Sequence, residues 1–249
     1  MFEERYKRQI KFQHIGIEGQ QKLKTKKVAI VGMGALGSAI AHHLVRMGVG
    51  FLKIIDSDIV ELSNLPRQML YTEEDVVNKR LKVESAKERL LAINSEVIIE
   101  TYASRLTAEN ASILLSDVDL ILDGTDNFPT RYIINKTAVK LNIPWIYGGV
   151  VGARGTTFTI RPHITPCFQC IFPHPPTEEH VPLCHANGVL SPIIQVIASI
   201  EAIEGIKILL EKWQDLRNSM LNIDLWNNDF ISIDLTHAHN KDCPICRTE

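Results

Sequence analysis

The chain has almost no net charge: 27 Lys and Arg stand against 29 Asp and Glu, leaving -2 over 249 residues. A protein built around nucleic-acid phosphates carries a basic excess, and a disordered chain carries more charge and less apolar character than the 22% and 45% found here. Both classes are set aside. An uninterrupted apolar run is also lacking. The most apolar stretch, Ile193 to Leu210, contains Gln195, Glu201, Glu204 and Lys207, residues that are costly in a bilayer and read instead as part of a core-packed helix. The opening residues Met1-Phe2-Glu3-Glu4-Arg5-Tyr6-Lys7-Arg8 have no apolar segment of the signal-peptide kind, so a cytoplasmic location is expected. No linker rich in Gly, Ser or Pro, no internal repeat and no low-complexity tract interrupts the sequence. One large domain, 1–249, is expected, with small molecules or proteins as partners and neither nucleic acid nor membrane.

Cysteine is sparse and its count is odd. Four of the five fall into two pairs, Cys167-Phe168-Gln169-Cys170 and Cys243-Pro244-Ile245-Cys246. In a reducing compartment such pairs more often hold a metal than form disulfides. Four thiolates suffice for a closed tetrahedral Zn²⁺ site that staples a loop to the C-terminal tail, with no open position for catalysis. Redox pairs and unbound thiols are the alternatives, and His174, His185 or His239 could replace a thiolate. Cys184 is left over, in Pro182-Leu183-Cys184-His185, where it is either a nucleophile beside a histidine or an incidental loop thiol.

The remaining sequence alternates. Lys27–Val31 reads as a strand, Gly32-Met33-Gly34-Ala35-Leu36-Gly37 as a tight turn, and Ala35–Met47 as a helix. Phe51–Asp56 reads as the second strand, Lys79–Asn94 as a helix and Val97–Thr101 as a third strand. Thr107 is a candidate N-cap for a helix over Ala108–Leu115. Leu120–Leu122 runs into the polar cluster Asp123-Gly124-Thr125-Asp126-Asn127, followed by a helix over Phe128–Asn142 and a strand over Trp145–Tyr147. Alternation stops near Thr156–Ile160. Pro162–Asn187 is an aperiodic loop, Leu190–Leu210 a helix, and Met220–Trp226 with Phe230–Leu235 a hairpin. The fold class is therefore α/β: a Rossmann-like doubly wound sheet, parallel in its N-terminal part and antiparallel in its C-terminal part.

Glycines at 32, 34 and 37 permit a tight turn, close approach of backbone to phosphate and close helix–strand packing, while the helix N-terminus offers amide donors. Asp56, at the end of the second strand, sits where a carboxylate accepts from ribose hydroxyls, a placement that serves NAD and ATP equally. Asp58 is a second candidate there or a solvated acid. The residues that follow favour phosphate activation: Asn64, Arg67 and Gln68 in Ser63-Asn64-Leu65-Pro66-Arg67-Gln68, with Lys82 and Arg8, supply cations and neutral donors for a departing pyrophosphate. Taken alone, Lys82 reads as a solvated lysine on a charged helix face beside Lys79, Arg80 and Lys87. Asp126 holds Mg²⁺ or caps the next helix.

Together these residues resemble the E1-like activating enzymes of sulfur-carrier proteins, the MoeB/ThiF/HesA family. The resemblance covers nearly the whole chain: Arg5-Tyr6-Lys7-Arg8-Gln9, the glycine turn, Gly48-Val49-Gly50, Asp56, Ser63 to Gln68, Lys82-Val83-Glu84-Ser85-Ala86, Thr125-Asp126-Asn127, both cysteine pairs, and Cys184 with Gly188-Val189-Leu190. It implies adenylation by ATP and Mg²⁺ of the C-terminal glycine of a ubiquitin-like (β-grasp) carrier ending in Gly-Gly. Sulfur for thiamine or molybdopterin synthesis would follow from a sulfurtransferase or cysteine desulfurase. By position, Gly32, Gly34, Ala35, Leu36, Gly37, Asp56, Asp58, Gln68 and Asn127 would bind nucleotide. Asn64, Arg67 and Lys82 would handle the triphosphate, Asp126 would assist Mg²⁺ and the carboxylate, and Arg8 would reach the nucleotide of a second protomer in a homodimer. Cys184 matches a position that in some members links covalently to the carrier. The nucleotide part would span about 25–150 and the zinc and carrier part about 151–249, and no rhodanese-like domain is expected. Two departures stand out: Lys79-Arg80-Leu81 replaces the usual Gly-x-Pro, and Ser191 replaces a glycine. A nicotinamide-dependent oxidoreductase and a non-catalytic scaffold are the competing readings.

Overall fold

In a computed structural model, which describes residues 2–174 and 188–246, a single eight-stranded sheet runs through the chain in the order β3-β2-β1-β4-β5-β6-β7-β8. Strands β1 (Lys27–Val31), β2 (Phe51–Ile55), β3 (Ile98–Tyr102), β4 (Leu120–Asp123) and β5 (Trp145–Val151) are parallel. Strands β6 (Arg154–Ile160), β7 (Ser219–Asp224) and β8 (Asp229–Asp234) continue the sheet antiparallel. The reversal of strand order falls between β1 and β4, which opens a crevice at their carboxyl ends.

Helices cover both faces of the parallel part: α3 (Ala35–Met47), α5 (Lys82–Ile93) and α9 (Ser191–Leu209) on one side, α6 (Ala111–Leu114) and α7 (Phe128–Leu141) on the other. Strands sandwiched in this way read as continuous apolar runs, and Val28, Ala29, Ile30, Leu120, Ile121 and Leu122 are all fully buried. The apolar stretch from Ile193 is a core-packed helix, as its sequence implies: Ile193, Ile194, Ile197 and Ala198 are sealed, and so are Glu201 and Glu204. Among the described residues no helix is long and apolar enough to cross a membrane.

Several boundaries differ from the sequence reading. Two N-terminal helices, α1 (Phe2–Ile10) and α2 (Gly16–Thr25), are added to the elements expected from the sequence, with Phe2, Tyr6 and Ile10 recurring every fourth residue on α1. They dock through Leu23, fully buried in the core, and through Tyr6, buried against Asn94, whose Nδ2 donates to its hydroxyl at 2.9 Å, while the Gln9 and Gln20 amides both donate to the Met47 carbonyl. The span from Lys79 does not start a helix. A short α4 (Glu73–Val77) precedes it, Lys79 takes φ +48°, Leu81 is extended, and α5 begins only at Lys82. Thr107 caps nothing. Helix α6 begins after Asn110, whose side chain accepts from the Thr107 amide and donates to the Arg105 carbonyl, so the intervening residues form a turn. The loop from Pro162 contains a helix, α8 (Phe168–Ile171), held because the Phe168 amide donates to Asn135 and its ring meets Trp145, Tyr147, Phe158 and Phe172.

Candidate functional site

The glycine turn is closed by packing as much as by conformation. Gly32 has φ +86°, a region that disfavours a side chain. A Cβ on Gly37 would collide with the Gly32 carbonyl, and one on Gly124 would collide with the same oxygen, so the turn, α3 and the end of β4 interlock through backbone contact. The Tyr71 hydroxyl donates to the Met33 carbonyl at 2.6 Å, and the Met33 amide donates to Asp56 Oδ2 at 2.7 Å. Asp56 also accepts from the Asp58 amide at 2.8 Å. Burial raises its carboxyl above the usual range, opposed by the Lys82 charge and these amides.

Lys82 is the largest departure from the solvated reading. Its side chain is 8% exposed, its ammonium lies 2.9 Å from Asp58 Oδ2, and its amide donates to the Asp58 carbonyl. It is buried because α5 starts at the cleft wall, with the extended Leu81 bridged to Ile59. Asn64 and Arg67 sit on the helical turn after β2. Asn64 is buried and accepts from the Glu61 amide, while the Arg67 guanidinium donates to the Ser63 carbonyl at 2.7 Å. Gln68 is buried beside Gly34 with its Oε1 unpartnered among the described residues, an orphaned acceptor on the cleft wall.

At the end of β4, Asn127 caps α7 by accepting from the Thr130 amide at 3.0 Å. Asp126 therefore has no capping duty and presents an exposed hard-oxygen donor. Asp123 is fully buried. It accepts from the Thr125 amide and hydroxyl and pairs with Arg131 Nε at 2.9 Å. Burial raises its carboxyl and the Arg131 charge opposes that.

These elements enclose a cleft of about 1330 Å³ at the carboxyl ends of the parallel strands. Its wall includes Gly32, Gly34, Ala35, Leu36, Asp56, Asp58, Asn64, Arg67, Gln68, Lys82, Asp126 and Asn127. Gly37 serves packing and does not line it. Arg8 lies exposed on α1 and outside the cleft of its own chain, because Tyr6 and Gln9 are the anchoring residues of that helix. Cys184 lies outside the described residues. Three lining residues have no signal in composition: Ser104, Arg105 and Leu106 follow β3, and only the rule that such clefts form at strand carboxyl ends points to them. Arg131 is equally unmarked in the sequence, a single cation in the first turns of α7.

Across the sheet, the four paired cysteines converge with their sulfurs all within 4.8 Å of one another. Sγ of Cys167 lies 3.6 Å from that of Cys243, and Sγ of Cys170 lies 3.4 Å from that of Cys246. These separations exclude disulfides and approach the edge of roughly 3.8 Å that Zn–S bonds of about 2.3 Å imply for a tetrahedron. Burial pushes the Cys167 thiol up to about 11, so a metal would have to displace protons on binding. No histidine joins the cluster among the described residues.

Residues 6–245 match the profile of the ThiF family. The chain belongs to the ThiF family. This ThiF-family chain is 41% identical over 245 residues to the sulfur carrier protein ThiS adenylyltransferase of Bacillus subtilis, covering 98% of this chain and 72% of that protein. It is 39% identical to the sulfur carrier protein adenylyltransferase of Thermus thermophilus, covering 99% and 91%. Among solved structures it resembles E. coli MccB with ATP, at a TM-score of 0.82 and 26% identity over 97% of this chain and 74% of that one.

Proposed function

We propose that this chain uses ATP to adenylate the C-terminal glycine carboxylate of a ubiquitin-like sulfur-carrier protein. The carboxylate oxygen attacks the α-phosphorus, the bond to the β-phosphate breaks, and pyrophosphate leaves with the electron pair. The observation that carries the reading is the convergence on one cleft of the glycine turn, Asp56, Arg67, Lys82 and Asp126, in a chain of this family.

Each role follows from local chemistry. Gly32, Gly34, Ala35 and Leu36 bring backbone and the start of α3 against phosphate, and Asp56 accepts from ribose hydroxyls. Lys82 and Arg67 hold the triphosphate and offset charge on the leaving group, for which Lys82 must trade part of its Asp58 contact. Asn64 and Gln68 add neutral groups, the latter with its unpartnered oxygen. Asp58 and Asn127 border the same space. Asp126, with no cap to maintain, suits Mg²⁺, which when bound would neutralise phosphate charge. Cys167, Cys170, Cys243 and Cys246 would hold Zn²⁺ as a closed structural site.

Further readings complete the proposal. The chain acts as one domain and as a homodimer in which the outward Arg8 reaches the partner's nucleotide. It works in the cytoplasm, Cys184 links covalently to the carrier, and a sulfurtransferase or cysteine desulfurase supplies sulfur for thiamine or molybdopterin synthesis. Exchange of labelled pyrophosphate into ATP, dependent on a carrier ending in Gly-Gly, tests the central step. No exchange, together with binding of NAD in place of ATP, would overturn it.

A further inference from the structure

Beneath the cleft floor lies an ion pair to which the adenylation chemistry assigns no part. Arg131 is 5% exposed, yet its guanidinium reaches three separate elements. Nε donates to Asp123 Oδ2 at 2.9 Å, at the end of β4. Nη2 donates to the Thr125 carbonyl at 2.8 Å and to the Gly148 carbonyl of β5 at 3.0 Å. Its plane is flanked by aromatic rings, with the guanidinium carbon 4.9 Å from the centre of Tyr147 and 5.5 Å from that of Phe128. Thr125 is thereby gripped at both ends: its amide and hydroxyl bond to Asp123 Oδ1 at 2.8 and 2.6 Å, and its carbonyl bonds to Arg131. The next residue is Asp126.

Resting on the reading of the cleft as an adenylation site, we infer that Arg131, with Asp123, is the positioning residue that fixes Asp126 against the reacting phosphate and carboxylate. The peptide that joins Thr125 to Asp126 begins at the carbonyl Arg131 holds, so a shift of the guanidinium moves the Asp126 backbone directly. A fork with donors on different nitrogens can hold the Asp123 carboxylate and two carbonyls in one plane, whereas a lysine ammonium on a shorter reach cannot reproduce that pattern. A third buried group, an acid, lies behind the pair. Glu201 of α9 stands directly over the Gly148 backbone with both oxygens unpartnered among the described residues. Burial, and then the Asp123 charge, raise its carboxyl well above the usual range. The Arg131 charge opposes that rise.

The test compares the wild type with Arg131→Lys and with the double variant Asp123→Asn/Arg131→Met in pyrophosphate exchange with ATP and a Gly-Gly carrier. The double variant removes both buried charges together and so avoids stranding one of them. Thermal melting establishes that each variant is folded. The expected result is a kcat lowered roughly 10- to 100-fold in both variants, since misplacement of about 1 Å has effects of that size. KM for ATP should stay within about threefold, because Asp56 and Lys82 are untouched, and amide hydrogen exchange over residues 124–127 should rise. Full activity in a folded double variant, or a KM change with unaltered kcat, would overturn the positioning role. A wild type without exchange activity would instead overturn the adenylation reading, so the two failures are distinguishable.

Discussion

The two halves of the sheet are stabilised in different ways. In the parallel half every central strand is buried on both faces, and the functional turns are locked by backbone contact, as where Gly32, Gly37 and Gly124 meet. In the antiparallel half burial fades strand by strand until all six residues of β8 are exposed, Phe230 and Ile231 among them. Order there rests on an aromatic cluster around Phe168 and on four cysteines drawn from distant segments. The proposed reaction site lies where packing fixes the backbone. The other half gathers four thiols where burial thins toward the sheet edge.

The sharpest break in this comparison is Asp126→Ala. It should lower pyrophosphate exchange roughly 10²- to 10³-fold while leaving the melting temperature within about 2 °C, because the cap of α7 belongs to Asn127. A fully active variant would remove Asp126 from the site. Next in size is the cysteine staple. Metal analysis should find about one zinc per chain, and Cys243→Ser should cost roughly 2–5 kcal/mol, about 10 °C in Tm, as loss of a long-range cross-link does. ATP binding at low temperature should survive, and its loss would mean that the two halves are not separable in this way.

A smaller effect separates buried from paired acids. Glu201 binds its proton more tightly in the folded chain than the value of about 4.3 expected when unfolded. Its favourable contribution is therefore complete below about pH 4.3 and is lost as pH rises through the folded value. Urea unfolding of the wild type and Glu201→Gln at about pH 5 and pH 8 should show the variant gaining in relative stability at the higher pH. A difference that does not change with pH would indicate an ionised, paired Glu201. Smallest is Lys79→Gly. It relieves the left-handed φ of +48° and should stabilise by about 0.5–1 kcal/mol, roughly 2–4 °C by calorimetry. No gain would show that the lysine side chain compensates for its backbone.

Much of this molecule is legible in its sequence. The strand over Lys27–Val31, the helix over Ala35–Met47 and the hairpin around Asn227-Asn228-Asp229 follow from side-chain period and turn chemistry, which are local properties. The two cysteine pairs likewise declare a four-sulfur cluster, because the spacing within each pair is written in the chain. Helices α1 and α2 leave a weaker trace: α1 repeats Phe2, Tyr6 and Ile10 every fourth residue among mostly charged or polar positions, and α2 buries only Gln20 and Leu23.

Local side-chain patterns set the order of elements, the glycine turn and the identity of the polar groups available for chemistry. Tertiary structure alone decided that Lys82 is buried against Asp58, that Asn127 and not Asp126 caps α7, and that Arg131 bridges β4, β5 and the turn between them. Burial and pairing depend on what packs over a side chain from elsewhere in the chain, and a local pattern carries no record of that neighbour.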